Sequence, residues 1–501
     1  MKIAGYIRIF FSPPPEAITT QSPLHNADER RMTEATLSKP RLKDYPPTFW
    51  LVIMFEFFER GSYYGMMSIL SVYLTDQLGF AKESVGVIKG TIQPLLYFLP
   101  ILTGAIADRM GYRKTLMVAF ALLGTGYFLT SQTTDYAAVF AALVVMGLGA
   151  GTFKPVVSGT IAKVTDERTS TLGFGIFYWS INLGAFLFPL ILVPMLKAIS
   201  WNLVMIASAI CTGAMLIPTI FLFKEPARAA AAKEPFGKML AGIFSKILMV
   251  VKDWRFILFI FIYSWFWILY FQMFDSVLWY VKDFVDASAL NQSVKSLTGL
   301  NWSFDIEHVT VINAMTIILL QMVVSAIVSK WKALPTMIAG VSLATIGMAI
   351  LSINTNIWVF LAGIVVFSIG EMTAHPKYIS YLGLIAPQDK KATYMGFGFL
   401  YGVFGSFIGG ILGANLYVRF VDNPMIAFIR ETFAERGLAP LAADVKVADA
   451  LKAAEAAGLT RSEIGAHAFT SELWLIFSGI GVLCILGLLL FQRFVASKSR
   501  Y

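Results

Sequence analysis

Runs of about 20 or more predominantly apolar residues recur along nearly the whole chain, separated by short polar segments. They lie near 46–75, 84–107, 115–133, 137–163, 171–194, 201–223, 255–283, 307–329, 333–354, 356–385, 392–418 and 470–494. Each is long enough to cross a hydrocarbon core of about 30 Å as a helix. The pattern predicts an all-α membrane protein with twelve transmembrane helices. Lysine and arginine fall at alternate ends of these spans: Arg109, Arg113 and Lys114 after the second, Lys163 and Arg168 after the fourth, Lys224 to Arg255 after the sixth. Lys330 and Lys332 follow the eighth, Lys390 and Lys391 the tenth, and Arg493 to Arg500 the last. By the positive-inside rule both termini are expected in the cytoplasm. The 224–254 connection divides the spans six and six, which predicts two six-helix halves, 45–223 and 255–494, joined by a basic, partly amphipathic cytoplasmic linker.

Composition agrees with this reading. The 501 residues are 57% hydrophobic and 14% charged, with a mean hydropathy of +0.69, beyond the apolar content of soluble domains. The net charge of +9 does not point to nucleic acid, because the basic residues are spread over the short connections and form no aromatic-laced patch. Cys211 and Cys484 both lie in apolar runs, so neither a disulfide framework nor a thiolate metal site is expected. Residues 1–44 are polar and proline-rich and are expected to be a disordered cytoplasmic segment. Its "IAGYIRIFF" is too short and too interrupted by Arg8 for a signal peptide, and Met32 is a plausible alternative start. The alanine-rich insertion at 420–469 is expected outside the membrane as two or three short helices, and 495–501 as a cytoplasmic tail.

One segment departs from the apolar pattern. In "EFFERGSYYG" (56–65), Glu56, Glu59 and Arg60 are three and four positions apart, so a helix places them on one face, which Tyr63 and Tyr64 extend. Glu56 lies about ten residues into the first span, roughly 15 Å deep at 1.5 Å per residue. A charge facing lipid there costs at least ~2.5–3.5 kcal/mol, so these groups should face a bundle interior or aqueous cavity and pair. Lys154 in the fourth span and Glu371 in the tenth lie at similar depth. Cations from one half and an anion from the other suit a zwitterion whose two ends are separated. A buried ion-pair network that only joins helices is the alternative.

These residues resemble the proton-dependent oligopeptide transporter family of the major facilitator superfamily along nearly all twelve spans. "EFFERGSYYG" is similar to its helix 1 signature ExxERFxYYG, and "GAIADRMGYRKT" (104–115) to the superfamily loop motif. "GTFKP" (151–155), "FGIFYWSINLGAF" (174–186), "FWILYFQ" (266–272) and "GEMTAHPKYISYLGLIAPQDKKATYMG" (370–396) resemble its motifs on helices 4, 5, 7 and 10. The loop motif is shared by other transporters; the set on helices 1, 4 and 10 is specific. The resemblance implies the major facilitator fold and a symporter, working as a monomer, that imports di- and tripeptides with protons across the inner or plasma membrane by alternating access. It implies no cofactor, metal or catalytic residue. Arg60, Lys154 and Tyr64 would hold the peptide carboxylate, and Glu371, Asn182 and Asn313 the amino group. Tyr97 and Trp267 would line side-chain pockets, and Glu56, Glu59 and Lys154 would couple the proton by a pairing that protonation weakens. Asp108 and Arg109 would latch cytoplasmic helix ends, and the Gly405, Gly409, Gly413 stripe would pack helices.

Departures from the family pattern are also present. Gly61 replaces the usual phenylalanine. Met67 and Phe271 stand where the family places an arginine and a glutamate that form an outer gate, so outer closure is expected to rest on apolar contact, with Asp275 a possible substitute for the lost acid. His375, four residues after Glu371, is a candidate proton relay or a packing residue. Two competing readings remain: the same scaffold carrying another anion, such as nitrate or a conjugated metabolite, or a peptide sensor that does not transport. No nucleophile triad, metal cluster or phosphate loop suggests an enzyme.

Overall fold

The computed structural model describes residues 41–226, 235–443 and 445–495. Most of the expected N-terminal segment, part of the linker and the tail after 495 lie outside these residues. The apolar spans form helices throughout: α1 (Pro47–Met67), α2 (Lys82–Met110), α3 (Tyr112–Gln132), α4 (Tyr136–Val164), α5 (Ser170–Lys197) and α6 (Asn202–Phe221). After the linker helix Phe236–Lys252 come α7 (Trp254–Phe284), α8 (His308–Val328), α9 (Ala333–Ile350), α10 (Ile357–Ile385), α11 (Thr393–Glu435) and α12 (Thr470–Phe494). Eleven of these are long and apolar enough to span a membrane. The other, α1, has the length, but Glu56, Glu59 and Arg60 lower its hydropathy.

Helix pairing repeats at an offset of six. In the first set α1 packs on α5 and α6, α2 on α4, and α3 on α4 and α6. In the second, α7 packs on α11 and α12, α8 on α10, and α9 on α10 and α12. The two sets meet where α2 lies against α11 and α5 against α8. At the first contact a Cβ on Gly86 would fall 2.6 Å from the carbonyl oxygen of Gly410, so the backbones touch. The Gly405, Gly409, Gly413 stripe faces Trp267, Ile268 and Gln272, packing α11 on α7 as expected.

Several boundaries differ from the sequence reading. Proline 46 and the proline at the first position of α1 start that helix, and α1 ends at Met67, before a short turn and an i→i+5 stretch at Tyr73–Gln77. Asp44, expected in the disordered segment, accepts from the Arg41 N–H (2.9 Å) and from Arg168 (2.6 Å). These contacts hold its carboxyl below the usual range. The insertion is not a separate body at its start, because α11 runs on through an i→i+5 turn at Val418–Asp422 into Asn423–Glu435. Two further short helices follow, Val447–Ala456 and Arg461–Gly465. A helix at Ser288–Thr298, between α7 and α8, was not foreseen.

Gly61 has a packing explanation. A Cβ there would meet the Phe188 ring of α5 at 2.4 Å, and one on Gly184 would meet the Gly61 N at 2.9 Å. Phe188 thus fills the volume that a side chain at 61 would occupy. Gly61→Phe is therefore expected to overpack the α1–α5 contact and cost about 1–3 kcal/mol, and Phe188→Ala should recover much of that loss. Thermal unfolding of the purified single and double variants checks it.

Candidate functional site

The three charges of α1 form a buried cluster. Glu59 accepts from Arg60 Nε (2.5 Å) and Nη2 (2.6 Å), a two-bond carboxylate–guanidinium pair. Glu56 lies 3.7 Å from Arg60 Nε, one turn away. All three are 4% exposed or less, and the guanidinium also sits 4.9 Å from the Tyr63 ring centroid. The sequence expectation that intramembrane charges pair is met by neighbours on one helix.

The expected contact of Lys154 with Glu56 or Glu59 is not made. Lys154 is half-buried on α4 with its Nζ 5.1 Å from the Tyr97 ring centroid, and it has no ion pair among the described residues. Glu59 already places both oxygens on Arg60, which sits at the adjacent position and reaches it without crossing between helices.

A cavity of about 120 Å³ opens between α1, α5, α7, α8 and α10, lined by Tyr64, Asn182, Asn313 and Glu371 together with Tyr178, Tyr270, Phe274 and Thr310. That is room for several waters, or for one end of a small molecule. Asn313 donates to Glu371 Oε2 (3.0 Å) and to Ser368 Oγ (2.9 Å), fixing the carboxylate from α8. Asn182 donates to the Tyr178 carbonyl (2.8 Å). The structure therefore brings together four of the expected residues, Tyr64, Asn182, Asn313 and Glu371. Tyr178 and Tyr270 were missed because an aromatic residue in an apolar run carries no signal of its own.

Arg60, Lys154, Tyr97 and Trp267 do not line this cavity. Trp267 is 5% exposed in an aromatic cluster, 4.4 Å from Tyr401, 4.6 Å from Tyr270 and 5.2 Å from His375 by ring centroids. Tyr97 borders the same cluster, 6.0 Å from Tyr401 and 6.1 Å from Phe271. His375 Nδ1 lies 3.4 Å from the Tyr263 hydroxyl, which places it in this packing and away from the cavity wall. Asp108 takes the Tyr112 hydroxyl (3.1 Å) and Lys163 (3.4 Å), tying α2 to α4; Arg109 follows it, exposed, at the end of α2.

The side expected to face outward is not joined by apolar contact alone, contrary to expectation. Met67 and Phe271 are both 3% exposed, but beside them the first helix set is joined to the second by ion pairs. Lys89 of α2 pairs with Asp275 in the break of α7 and also donates to Ser71 Oγ (2.8 Å) and the Phe274 carbonyl. Ser71 donates to Asp275 Oδ1 (2.8 Å), so four groups share one buried knot. Lys82 pairs with Asp422 at 2.7 Å over the Tyr417 ring. Lys197 holds Asp305 (2.6 Å) and Glu307 (2.5 Å), and Lys282 holds Asp76. All four clusters lie at the membrane face that carries the 423–469 helices. Asp275 is thus a structural partner of Lys89, placed by the turn Met273–Asp275 between two helical pieces. Lys89 was legible as the one charge inside the second apolar run.

Among known proteins, the model of the Major Facilitator Superfamily matches residues 49–410. The dipeptide and tripeptide permease A of Citrobacter koseri is 29% identical over 222 residues, 42% of this chain and 44% of that protein. The alignment thus spans less than half of the curated relative. A solved peptide transporter POT in complex with sulfate superposes with a TM-score of 0.68 at 18% identity, covering 93% of this chain and 98% of that one. The nucleoside transporter NupG gives 0.64 at 14% identity, covering 89% and 99%. At such identities the superpositions establish the fold, which is shared by carriers of different solutes. Repeated helix pairing, an intramembrane charge cluster and the match over most of its length all agree: the chain belongs to the Major Facilitator Superfamily.

Proposed function

We propose that this protein is a symporter that imports di- and tripeptides with protons across the cell membrane by alternating access, acting as a monomer with both termini in the cytoplasm. The observation that carries the reading is the Asn313–Glu371 pair in the wall of the cavity that Tyr64 of α1 also lines. A carboxylate held by an amide and facing a cavity favours an ammonium group and disfavours a nitrate-like anion. The permeases among its relatives carry the matching names, and the helix 1, 4 and 10 motifs agree with them.

The coupling follows from the charges of α1. Arg60 neutralises Glu59 through two bonds. A peptide carboxylate that engages Arg60 competes for its two donors, and Glu56 and Glu59 must then take a proton or turn to Lys154. Substrate and proton loading are thereby linked through one guanidinium. The halves 45–223 and 255–494 rock about the α2–α11 and α5–α8 contacts, with the ion-pair clusters closing the outer side.

Glu371→Gln tests the amino-end assignment. It keeps size and the contact with Asn313 but removes the anion, so binding of free-amino dipeptides should weaken by about 1–3 kcal/mol. N-acetylated analogues, poor ligands already, should change little. Equal losses for both ligands would show that Glu371 does not read the amino group.

A further inference from the structure

The helix Phe236–Lys252, between the two helix sets, presents three different faces. Ile243 and Val250 are buried against the bundle, at 8% and 0% exposure. Phe244, Leu248 and Val251, at spacings of four and three residues, form a second stripe about a third of a turn away. These three are 64%, 56% and 52% exposed. Lys238, Lys246 and Lys252 lie on the remaining arc, and Pro235–Lys252 contains no carboxylate. Asp253, just beyond, accepts from the Phe256 N–H (3.2 Å) and so caps α7.

A helix that buries one face in protein and exposes an apolar stripe beside an arc whose only charges are basic does not suit water on both remaining sides. It suits an interface plane, with the stripe at the acyl boundary and the lysines at headgroup level. Its position supplies the membrane: Asp253 alone separates it from α7, whose first residue, Trp254, is 59% exposed with Arg255 over its ring at 5.7 Å. An exposed tryptophan and arginine at the entry of a span mark the interfacial level. We infer that the linker helix Phe236–Lys252 is a docking surface for anionic phospholipid headgroups of the leaflet from which α7 enters, with Phe244, Leu248 and Val251 inserted below Lys238, Lys246 and Lys252. This is independent of which solute the protein carries.

The lysines should each favour an anionic surface about fivefold, so neutralising all three should lower the ratio of docked to undocked helix by about a hundredfold. The test places a spin label at Leu248→Cys in the full chain carrying Cys211→Ser, Cys484 being fully buried. The protein is reconstituted in phosphatidylcholine vesicles with or without phosphatidylglycerol. With phosphatidylglycerol, the label should collide with oxygen more than with an aqueous nickel chelate, whereas a label at Ser245→Cys should report water. Removing phosphatidylglycerol, or adding Lys238→Gln, Lys246→Gln and Lys252→Gln, should shift the Leu248 label towards water without lowering the unfolding temperature in detergent. An aqueous Leu248 label in the anionic vesicles would overturn the inference. So would a lipid-side label indifferent to both changes, which would leave no headgroup selectivity. Spin–spin broadening at Leu248 would also overturn it, by showing a second copy on the stripe.

Discussion

Replacing Lys89 by methionine should stop peptide accumulation and leave the outer side of the protein unable to close. Lys89 is 1% exposed and pairs with Asp275, itself 2% exposed, across the boundary between the two helix sets. Removing one member of a buried pair leaves the other charge uncompensated, at a typical cost of 3–5 kcal/mol. That cost falls on the outer-closed state, where α2 and α7 meet; opening admits water to Asp275 and relieves it. At about 1.4 kcal/mol per tenfold, the closed state should lose at least a hundredfold in population. Asp275→Asn should have a smaller effect, since it leaves Lys89 the Ser71 hydroxyl and the Phe274 carbonyl. Lys89→Met combined with Asp275→Leu removes both charges and should recover closure, because an apolar replacement of a buried pair is often neutral. Uptake rates of the singles and the double form a mutant cycle. Parent-like transport by Lys89→Met would exclude the pair as an outer clasp.

The second large effect is expected at Lys154. Its ammonium group rests over Tyr97 with no carboxylate partner among the described residues, while Arg60 occupies Glu59. If peptide binding draws Arg60 away, Lys154 is the cation left to answer the ionised carboxylates of α1. Lys154→Ala should then abolish uphill uptake driven by an inward proton gradient. Counterflow, the exchange of labelled for unlabelled peptide without a gradient, should persist, because it needs no proton to be released. Undiminished gradient-driven accumulation in this variant would remove Lys154 from the coupling.

The fold was legible because a membrane imposes its own period. Twenty apolar residues must be a helix when no water is present to satisfy the backbone, and the twelve runs became α1 to α12, most ends moving by a few residues while α1 stops early at Met67 and α11 runs on to Glu435. Charges inside those runs were equally plain, since an unpaired one is costly: Glu56, Glu59, Arg60, Lys154 and Glu371 stood out on that ground alone. What they pair with was less so. Glu59 chose its neighbour Arg60 over Lys154, a choice made by side-chain reach. The outer clasp was misread because attention to Met67 and Phe271 treated a missing family pair as missing charge. Lys89, in "VGVIKGTIQ", carried the signal and was passed over. Asp275 reaches it because α7 breaks at Met273–Asp275, a break that no proline or glycine announces. Of Trp267 and Tyr97, assigned to pockets by resemblance, the first stacks on Tyr401 and the second lies tilted beside it. Aromatic residues in apolar runs do not reveal whether they face a cavity or each other.

The most direct test of the account is uptake by the purified protein in sealed proteoliposomes with an acidic exterior, using a labelled dipeptide. The account predicts accumulation above the external concentration that collapses with a protonophore and is competed by unlabelled di- and tripeptides but not by nitrate. Accumulation indifferent to the proton gradient, or saturable peptide binding with no entry into the vesicles, would contradict it.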